Sequence, residues 1–183
     1  MRADIQEILL DEEALEKRVS ELGAKISEEY DGMNPILIGI LKGSGIFLSD
    51  LMRKITIPME IDFLKASSYG SSAQSSGVVQ LENDLSVDVR GRTIILVEDI
   101  VDTGNTLKYL LERFASLGAV EVKVCSLLNK AGRREQNVVA DYIGFEIPDA
   151  FVVGYGLDFA QKYRNLPYIG ILKKEIYQYR PKK

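Results

Sequence analysis

Two short apolar runs constrain the fold of this chain more than any other feature of its sequence. The first covers residues 35–41 (PILIGIL) and the second residues 93–97 (TIILV). Strands that are apolar on both faces are typical of parallel sheets covered by helices on both sides. A helical pattern at 107–114 follows the second run, and alternating valines then predict a third strand at 120–128. This strand–helix–strand order predicts a right-handed crossover, a parallel sheet and therefore an α/β fold.

The remaining patterns extend this fold without dividing the chain. Apolar residues at helical spacing predict a helix over 12–30, and alternation around 59–63 predicts a half-buried strand. Further strands are predicted at residues 142–147, 151–155 and 168–172. The sequence contains no internal repeat and no linker-like segment. We therefore expect a single domain over residues 1–183.

The segment Ser67–Gly77 differs from the rest in composition. It contains six serines and two glycines, and Tyr69 is its one large side chain. A segment of this kind buries too little surface to hold one conformation, which predicts a mobile loop. A lid over a reaction centre is the more specific interpretation, and composition alone leaves both open.

The chain of 183 residues contains no histidine, and this excludes several classes of chemistry. Ser-His-Asp and Cys-His hydrolases and histidine-ligated zinc sites all require that residue. A net charge of −4 argues against nucleic-acid binding, and no apolar run reaches the length of a membrane span. The lone Cys125 cannot form an internal disulfide and is expected to be a core residue in a reducing compartment. The N-terminus lacks a signal-peptide pattern, so we expect a cytoplasmic location.

The strongest functional signal follows the second apolar run. Three carboxylates, those of Glu98, Asp99 and Asp102, stand where a parallel strand should end, and ligands of open α/β sheets bind at such ends. The stretch 103–106 (TGNT) then begins a helix, whose N-terminal N–H groups favour an anion. Acidic residues beside a phosphate-binding turn indicate a sugar phosphate. The alternative is an exposed loop whose Asp and Thr side chains only cap the helix.

Other phosphate-binding patterns do not account for this stretch. The chain contains neither G-x-x-x-x-G-K-[ST] nor G-x-G-x-x-G. A phospho-acceptor receiver domain is also excluded, because its acidic pair ends the first strand, whereas this pair lies past the middle of the chain.

The stretch VEDIVDTGNT at 97–106 resembles the ribose-phosphate motif of the type I phosphoribosyltransferases. Most of the chain resembles the 6-oxopurine branch of that family, the hypoxanthine-guanine phosphoribosyltransferases. That similarity rests on four further segments, which are LKGSG (41–45), SSYG (67–70), LLNK (127–130) and GFEIPDAFVVGYGLD (144–158). The resemblance implies a parallel sheet flanked by helices, a small hood and a mobile lid at about 67–77.

The resemblance implies how 5-phosphoribosyl 1-diphosphate (PRPP) would be held. Glu98 and Asp99 would bind the ribose hydroxyls with the help of Mg²⁺, and Asp158 would bind a second Mg²⁺. The 5′-phosphate would be wrapped by Thr103, Gly104, Asn105 and Thr106. The pyrophosphate would contact Lys42, Gly43 and Arg164, and the family has a cis peptide between the positions of Leu41 and Lys42. Ser68 and Tyr69 match the tip of the lid. Without the resemblance, Arg164 would be read as an exposed charge.

The resemblance also implies a purine site. Asp102 would be the general base or proton partner at purine N7. Lys130 offers donors and no acceptor, so it would favour a 6-oxo group over a 6-amino group. Phe151 would stack on the base, and the Val152 backbone would pair with its edge. Taken alone, Lys130 is more typical of a solvated surface and Phe151 of a core strand.

The implied activity is Mg²⁺-dependent transfer of the phosphoribosyl group from PRPP to hypoxanthine or guanine, which gives IMP or GMP and pyrophosphate. The family forms homodimers and homotetramers. One alternative is an enzyme that prefers xanthine or a pyrimidine base. A second is a regulator that binds nucleic acid and keeps the same fold, using PRPP or a nucleotide as effector. The negative charge and the complete base-binding set argue against that regulator.

Overall fold

The computed structural model describes residues 1–68 and 79–178 and contains two β-sheets and four α-helices within them. The strands are β1 (Ile5–Leu10), β2 (Ile36–Leu41), β3 (Glu60–Ser68), β4 (Val79–Leu81), β5 (Thr93–Val101), β6 (Glu121–Asn129), β7 (Tyr142–Glu146), β8 (Val152–Val153) and β9 (Ile169–Leu172). The helices are α1 (Glu12–Glu29), α2 (Gly45–Met52), α3 (Asn105–Ser116) and α4 (Lys174–Gln178).

The larger sheet has the strand order β4-β3-β2-β5-β6-β7. Five of its strands, β3, β2, β5, β6 and β7, are parallel to one another, and β4 pairs with β3 in the antiparallel direction. The helices α1 and α2 pack on one face, while α3 packs on the other. Because both faces are covered, Leu37 and Ile38 of β2 are both fully buried although their side chains point to opposite sides. The predicted α/β class is therefore confirmed.

Helix α1 forms where the apolar spacing predicts it. The Asp11 side chain accepts a hydrogen bond from the Ala14 N–H (2.9 Å) and so caps the N-terminus. The apolar stripe is at most 3% exposed and packs against the sheet: Leu15, Val19, Leu22 and Ile26. Helix α3 buries its own stripe against the opposite face, and Gly118 follows it with a positive φ of 87°.

A smaller antiparallel sheet, with the order β1-β9-β8, forms the hood. Its core consists of Val153, Tyr163, Leu166 and Leu172. The sequence analysis did not predict β1, and the strand predicted at 151–155 is wrong in length. It stops at Val153 because the chain turns at Gly154 (φ 103°) and Tyr155 (φ 50°).

Three local predictions also need correction. Strand β5 continues to Val101, so that Glu98 and Asp99 belong to the strand rather than following it. Ile61 is 40% exposed despite its place in the alternation, and Val120 lies before β6 and is 75% exposed. Cys125 is buried in β6, as predicted. No helix in the part of the chain that the structure describes is long and apolar enough to cross a membrane.

Candidate active site

The carboxyl end of β5 carries two buried carboxylate oxygens that lack hydrogen-bond partners. Within the described residues, neither Glu98 Oε2 nor Asp102 Oδ1 accepts a hydrogen bond. The nearest cation to Asp102 is Arg133, whose Nε lies 3.5 Å from Oδ1. Buried polar atoms without partners are uncommon in proteins, and they are accounted for where a ligand supplies the missing partner. The acidic end of this strand is therefore suited to a ligand rich in hydroxyl groups or to a cation.

Burial raises the pKa values of the two carboxyl groups within the strand. It raises the pKa of Glu98 well above its ordinary value, and the neighbouring charge of Asp99 adds to this effect. Burial also raises the pKa of Asp99 to about 6, although backbone N–H groups and Arg164 oppose the rise. A divalent cation next to these carboxylates would favour their charged forms.

The stretch after β5, which the sequence analysis predicts to bind a phosphate, forms a turn that leads into α3. Gly104 has a φ of 88° and is the N-cap of α3, so the N-terminus of this helix opens onto the turn. A small cavity of about 100 Å³ is lined by residues 98 and 100–107. The structure thus brings Asp102, Thr103, Gly104, Asn105 and Thr106 to one place.

A second segment that the sequence analysis missed supports this turn from outside. The backbone N–H groups of Glu135 and Gln136 both donate to the Thr103 carbonyl, at 3.0 and 3.1 Å. The side chain of Asn105 bonds to both residues as well (3.0 and 2.8 Å). Arg134 lies over Gly104 and has a buried Nη1 without a partner among the described residues. No local spacing indicates these contacts, because about 30 residues separate the two segments.

The turn between β2 and α2 meets the acidic strand end. The Leu41–Lys42 peptide bond is cis, as the family resemblance implies. A side chain at position 43 would overlap the Asp99 carboxylate, so only glycine allows this approach. On the far side of the turn, Arg164 pairs with Asp158 (2.7 Å) and donates to the Gly156 carbonyl (2.6 Å). The predicted pyrophosphate residues therefore lie together, and Arg164 is not the exposed charge of the alternative interpretation.

The acidic groups here suit a cation that arrives with its substrate. Among the described residues, no group of three or more Asp, Glu, His or Cys side chains is placed to hold a metal ion. Magnesium is commonly bound by one or two carboxylates together with substrate phosphates rather than by a protein cage. Glu98 and Asp99 at the strand end, with Asp158 nearby, match that mode of binding.

The residues predicted to bind the purine lie where the hood meets the parallel sheet. Lys130 follows β6 and is only 7% exposed, and its Nζ donates to the Ala150 carbonyl (2.6 Å). The solvated surface lysine of the alternative interpretation is therefore wrong. Phe151 is 37% exposed, and Val152 pairs with Ile171 in the hood. A cavity of about 400 Å³ adjoins Lys130, Phe151 and Tyr177 of α4.

The predicted lid cannot be placed in the same way. Ser67 and Ser68 end β3, whereas Tyr69 and the remainder of the segment up to Gly77 lie outside the described residues.

An α/β sheet with an acidic strand end, a glycine-containing phosphate turn and a hood defines the class of phosphoribosyltransferases. The family model for the phosphoribosyl transferase domain matches residues 6–160. The hypoxanthine-guanine phosphoribosyltransferase of Bacillus subtilis (strain 168) is 49% identical over 97% of this chain and 99% of its own length. That of Streptococcus agalactiae serotype V is 47% identical over 95% of this chain and 97% of its own.

A solved structure of a hypoxanthine phosphoribosyltransferase from Staphylococcus aureus is also similar. It superposes with a TM-score of 0.94 at 44% identity, and the match covers 97% of this chain and 96% of that one. This chain belongs to the hypoxanthine-guanine phosphoribosyltransferase family.

Proposed function

We propose that this chain is a purine salvage enzyme, which transfers the phosphoribosyl group of PRPP to N9 of hypoxanthine or guanine in a Mg²⁺-dependent reaction. The products are IMP or GMP and pyrophosphate. One observation carries the proposal: Glu98 Oε2 and Asp102 Oδ1, which accept no hydrogen bond among the described residues, belong to residues that line one cavity together with the 103–106 turn. Family membership and the names of the relatives support the same activity.

The PRPP residues divide the substrate among themselves. Glu98 and Asp99 accept hydrogen bonds from the ribose hydroxyls, and the 103–106 turn with the α3 N-terminus holds the 5′-phosphate. Lys42 and Arg164 hold the pyrophosphate, for which the planar guanidinium of Arg164 is suited. When bound, Mg²⁺ neutralises charge on the departing pyrophosphate. The residues that would hold it are Glu98, Asp99 and Asp158.

The base site supplies orientation and a proton acceptor. Lys130 donates to the 6-oxo group, Phe151 stacks on the ring and the Val152 backbone meets the base edge. The base attacks C1′ through N9 in the tautomer that carries its proton on N7. The N9–C1′ bond forms, the C1′–pyrophosphate bond breaks, and the N7 proton passes to the Asp102 carboxylate. Exclusion of water protects the cationic sugar in this step. We assign that exclusion to the 67–77 segment with Ser68 and Tyr69.

A spectrophotometric assay with PRPP and four separate bases tests the proposal. We expect nucleotide formation with hypoxanthine and guanine and little with adenine. The rate with xanthine, measured in the same assay, ranks it against hypoxanthine and guanine. A chelator should abolish the rate, and added Mg²⁺ should restore it. Turnover that persists in the chelator would contradict the metal requirement, whereas absence of product with every base would contradict the activity itself.

The proposal extends to assembly and location. On the family resemblance we propose a homodimer or homotetramer in the cytoplasm, and light scattering coupled to size-exclusion chromatography measures the assembly.

A further inference from the structure

Three aromatic rings meet at the rim of the hood beside the base site. The rings of Phe151 and Tyr177 are stacked, with centroids 4.8 Å apart and an interplanar angle of 20°. Phe159 meets Phe151 nearly at a right angle, with centroids 5.7 Å apart and an interplanar angle of 89°. Both are favourable arrangements for aromatic pairs. Of these rings, the activity proposed above uses Phe151 alone.

Tyr177 is anchored to the hood, not to the parallel sheet. It packs together with Ile176 and Phe159 against the hood core that contains Val153 and Leu172. The strand before α4 is tied to Phe151 itself, because the Leu172 N–H donates to the Phe151 carbonyl (2.8 Å). The Tyr177 ring is therefore carried by the same sheet as the ring that it touches.

Phe151 keeps a free surface in spite of these contacts. With Tyr177 stacked on one face and Phe159 beside it, Phe151 is still 37% exposed. Tyr177 covers one face of the Phe151 ring, and Phe151 still lines the cavity that Lys130 also lines. The preceding residue, Ala150, accepts a hydrogen bond from Lys130, so the partly exposed Phe151 follows directly after the contact of the donor that would read the 6-oxo group.

We propose that Tyr177 is a positioning residue of the purine site: its ring backs Phe151 and holds that ring in the orientation that stacks on the base. The inference rests on the proposed function. A phenylalanine without this support rotates more freely in the empty site, and ordering it on binding costs affinity for the base. PRPP binds at the end of β5 and does not contact this pair, so its binding is unaffected.

The test separates the base from PRPP. Aromatic pairs contribute about 0.5–1.5 kcal/mol beyond their buried area, so we expect Tyr177→Ala to raise the KM for hypoxanthine and guanine roughly 3- to 10-fold. The KM for PRPP and kcat should change less than twofold. Tyr177→Phe keeps the ring and should restore the normal KM. Tyr177→Leu keeps apolar contact with the hood core without a ring, and should behave like Tyr177→Ala even if the alanine variant folds poorly.

Tyr168→Ala is the matched control, because Tyr168 packs against the same hood core without a ring contact to Phe151 in the described structure. Tyr168→Ala should leave the KM for the base unchanged. Calorimetric titration with GMP should rank the affinities of the variants in the same order as their KM values for the base.

Four outcomes would overturn the inference. They are an unchanged base KM in Tyr177→Leu, an equal rise in the base and PRPP constants, the same selective rise in Tyr168→Ala, and a fall in the base KM, which would mean that Tyr177 competes with the base. Failure of the proposed function is distinguishable, since the unaltered enzyme would then form no nucleotide in the same assay.

Discussion

The phosphate end and the base end of the candidate site are built in different ways. The phosphate end is one continuous stretch, residues 98–106, in which a strand runs through a turn into α3. The base end is assembled from three separate segments that contribute Lys130, Phe151 and Tyr177. The first end belongs to the parallel sheet and the second joins that sheet to the hood. Substitutions at the two ends should therefore affect PRPP and the base separately.

The two ends also differ in charge. Half-buried carboxylates dominate the phosphate end, and burial raises the pKa values of Glu98 and Asp99. At the base end the buried ionisable group is the Lys130 ammonium, which donates one hydrogen bond to a backbone carbonyl and lies 4.0 Å from the Asp149 carboxylate. The acidic end suits a ligand that brings cations or hydroxyl groups, whereas the ammonium suits a neutral ligand with a carbonyl acceptor.

The largest expected effect comes from Asp102, which lies where the two ends meet. We expect Asp102→Asn to lower kcat by about 10²-fold or more, because the amide cannot accept the N7 proton as the carboxylate does. The KM values for both substrates should change far less than kcat, as measured in the steady-state assay.

Asp88→Asn is a matched control for the loss of one carboxylate. Asp88 is exposed, lies away from the site and accepts a hydrogen bond from the Arg90 N–H (3.0 Å). The kcat of Asp88→Asn should therefore stay within twofold of that of the unaltered enzyme. A near-normal kcat in Asp102→Asn would remove Asp102 from its proposed role.

The contrast between the two ends also explains what the sequence could predict. The phosphate end was predictable because the acidic pair, Asp102 and the 103–106 turn are neighbours in the chain, so local chemistry indicates their joint role. The supporting segment with Arg134 was not, because its contacts with the turn are long-range hydrogen bonds without a spacing pattern.

At the base end, local patterns were less informative. A lysine after a strand and a phenylalanine before a Val-Val pair have ordinary structural interpretations, and only the family resemblance predicts a base-binding role for Lys130 and Phe151. No sequence pattern indicated Tyr177, since its proposed role depends on its contact with Phe151, which the hood brings about by returning α4 to that residue. The parallel sheet was predicted well because its strands are apolar on both faces. Strand β1 was missed because its burial depends on pairing with β9 across the chain.

A smaller effect, confined to the base, is expected for Lys130→Ala. Hydrogen bonds to charged groups contribute about 1.5–3 kcal/mol, so the KM for hypoxanthine and guanine should rise roughly 10- to 100-fold. The KM for PRPP should stay within about threefold, because the Nζ faces Ala150 and the base cavity. Equal losses for both substrates would contradict the division of the site.

Lys123→Ala controls for the removal of a lysine, because Lys123 lies in β6, the strand that Lys130 follows. Lys123 lies near the opposite end of β6, where it pairs with Asp141 (3.2 Å), and neither KM should change.

The smallest effect, confined to PRPP, is expected for Gly104→Ala. A Cβ at this position would meet Arg134 and Gln136 at an ordinary distance of 3.4 Å, so crowding is not the obstacle. The obstacle is the positive φ of 88°, because a left-handed backbone conformation costs a residue with a side chain about 1–2 kcal/mol. The turn then relaxes in the free enzyme, and the KM for PRPP should rise by up to about tenfold while the KM for the base is unchanged.

Gly32→Ala is the control, because it imposes a similar backbone cost at φ 78° at a position that lies away from the site and has nothing near its Cβ. If both glycine variants lose stability equally in thermal unfolding and only Gly104→Ala loses affinity for PRPP, the backbone of the turn itself holds the phosphate. Equal kinetic losses in the two variants would attribute the effect to general destabilisation.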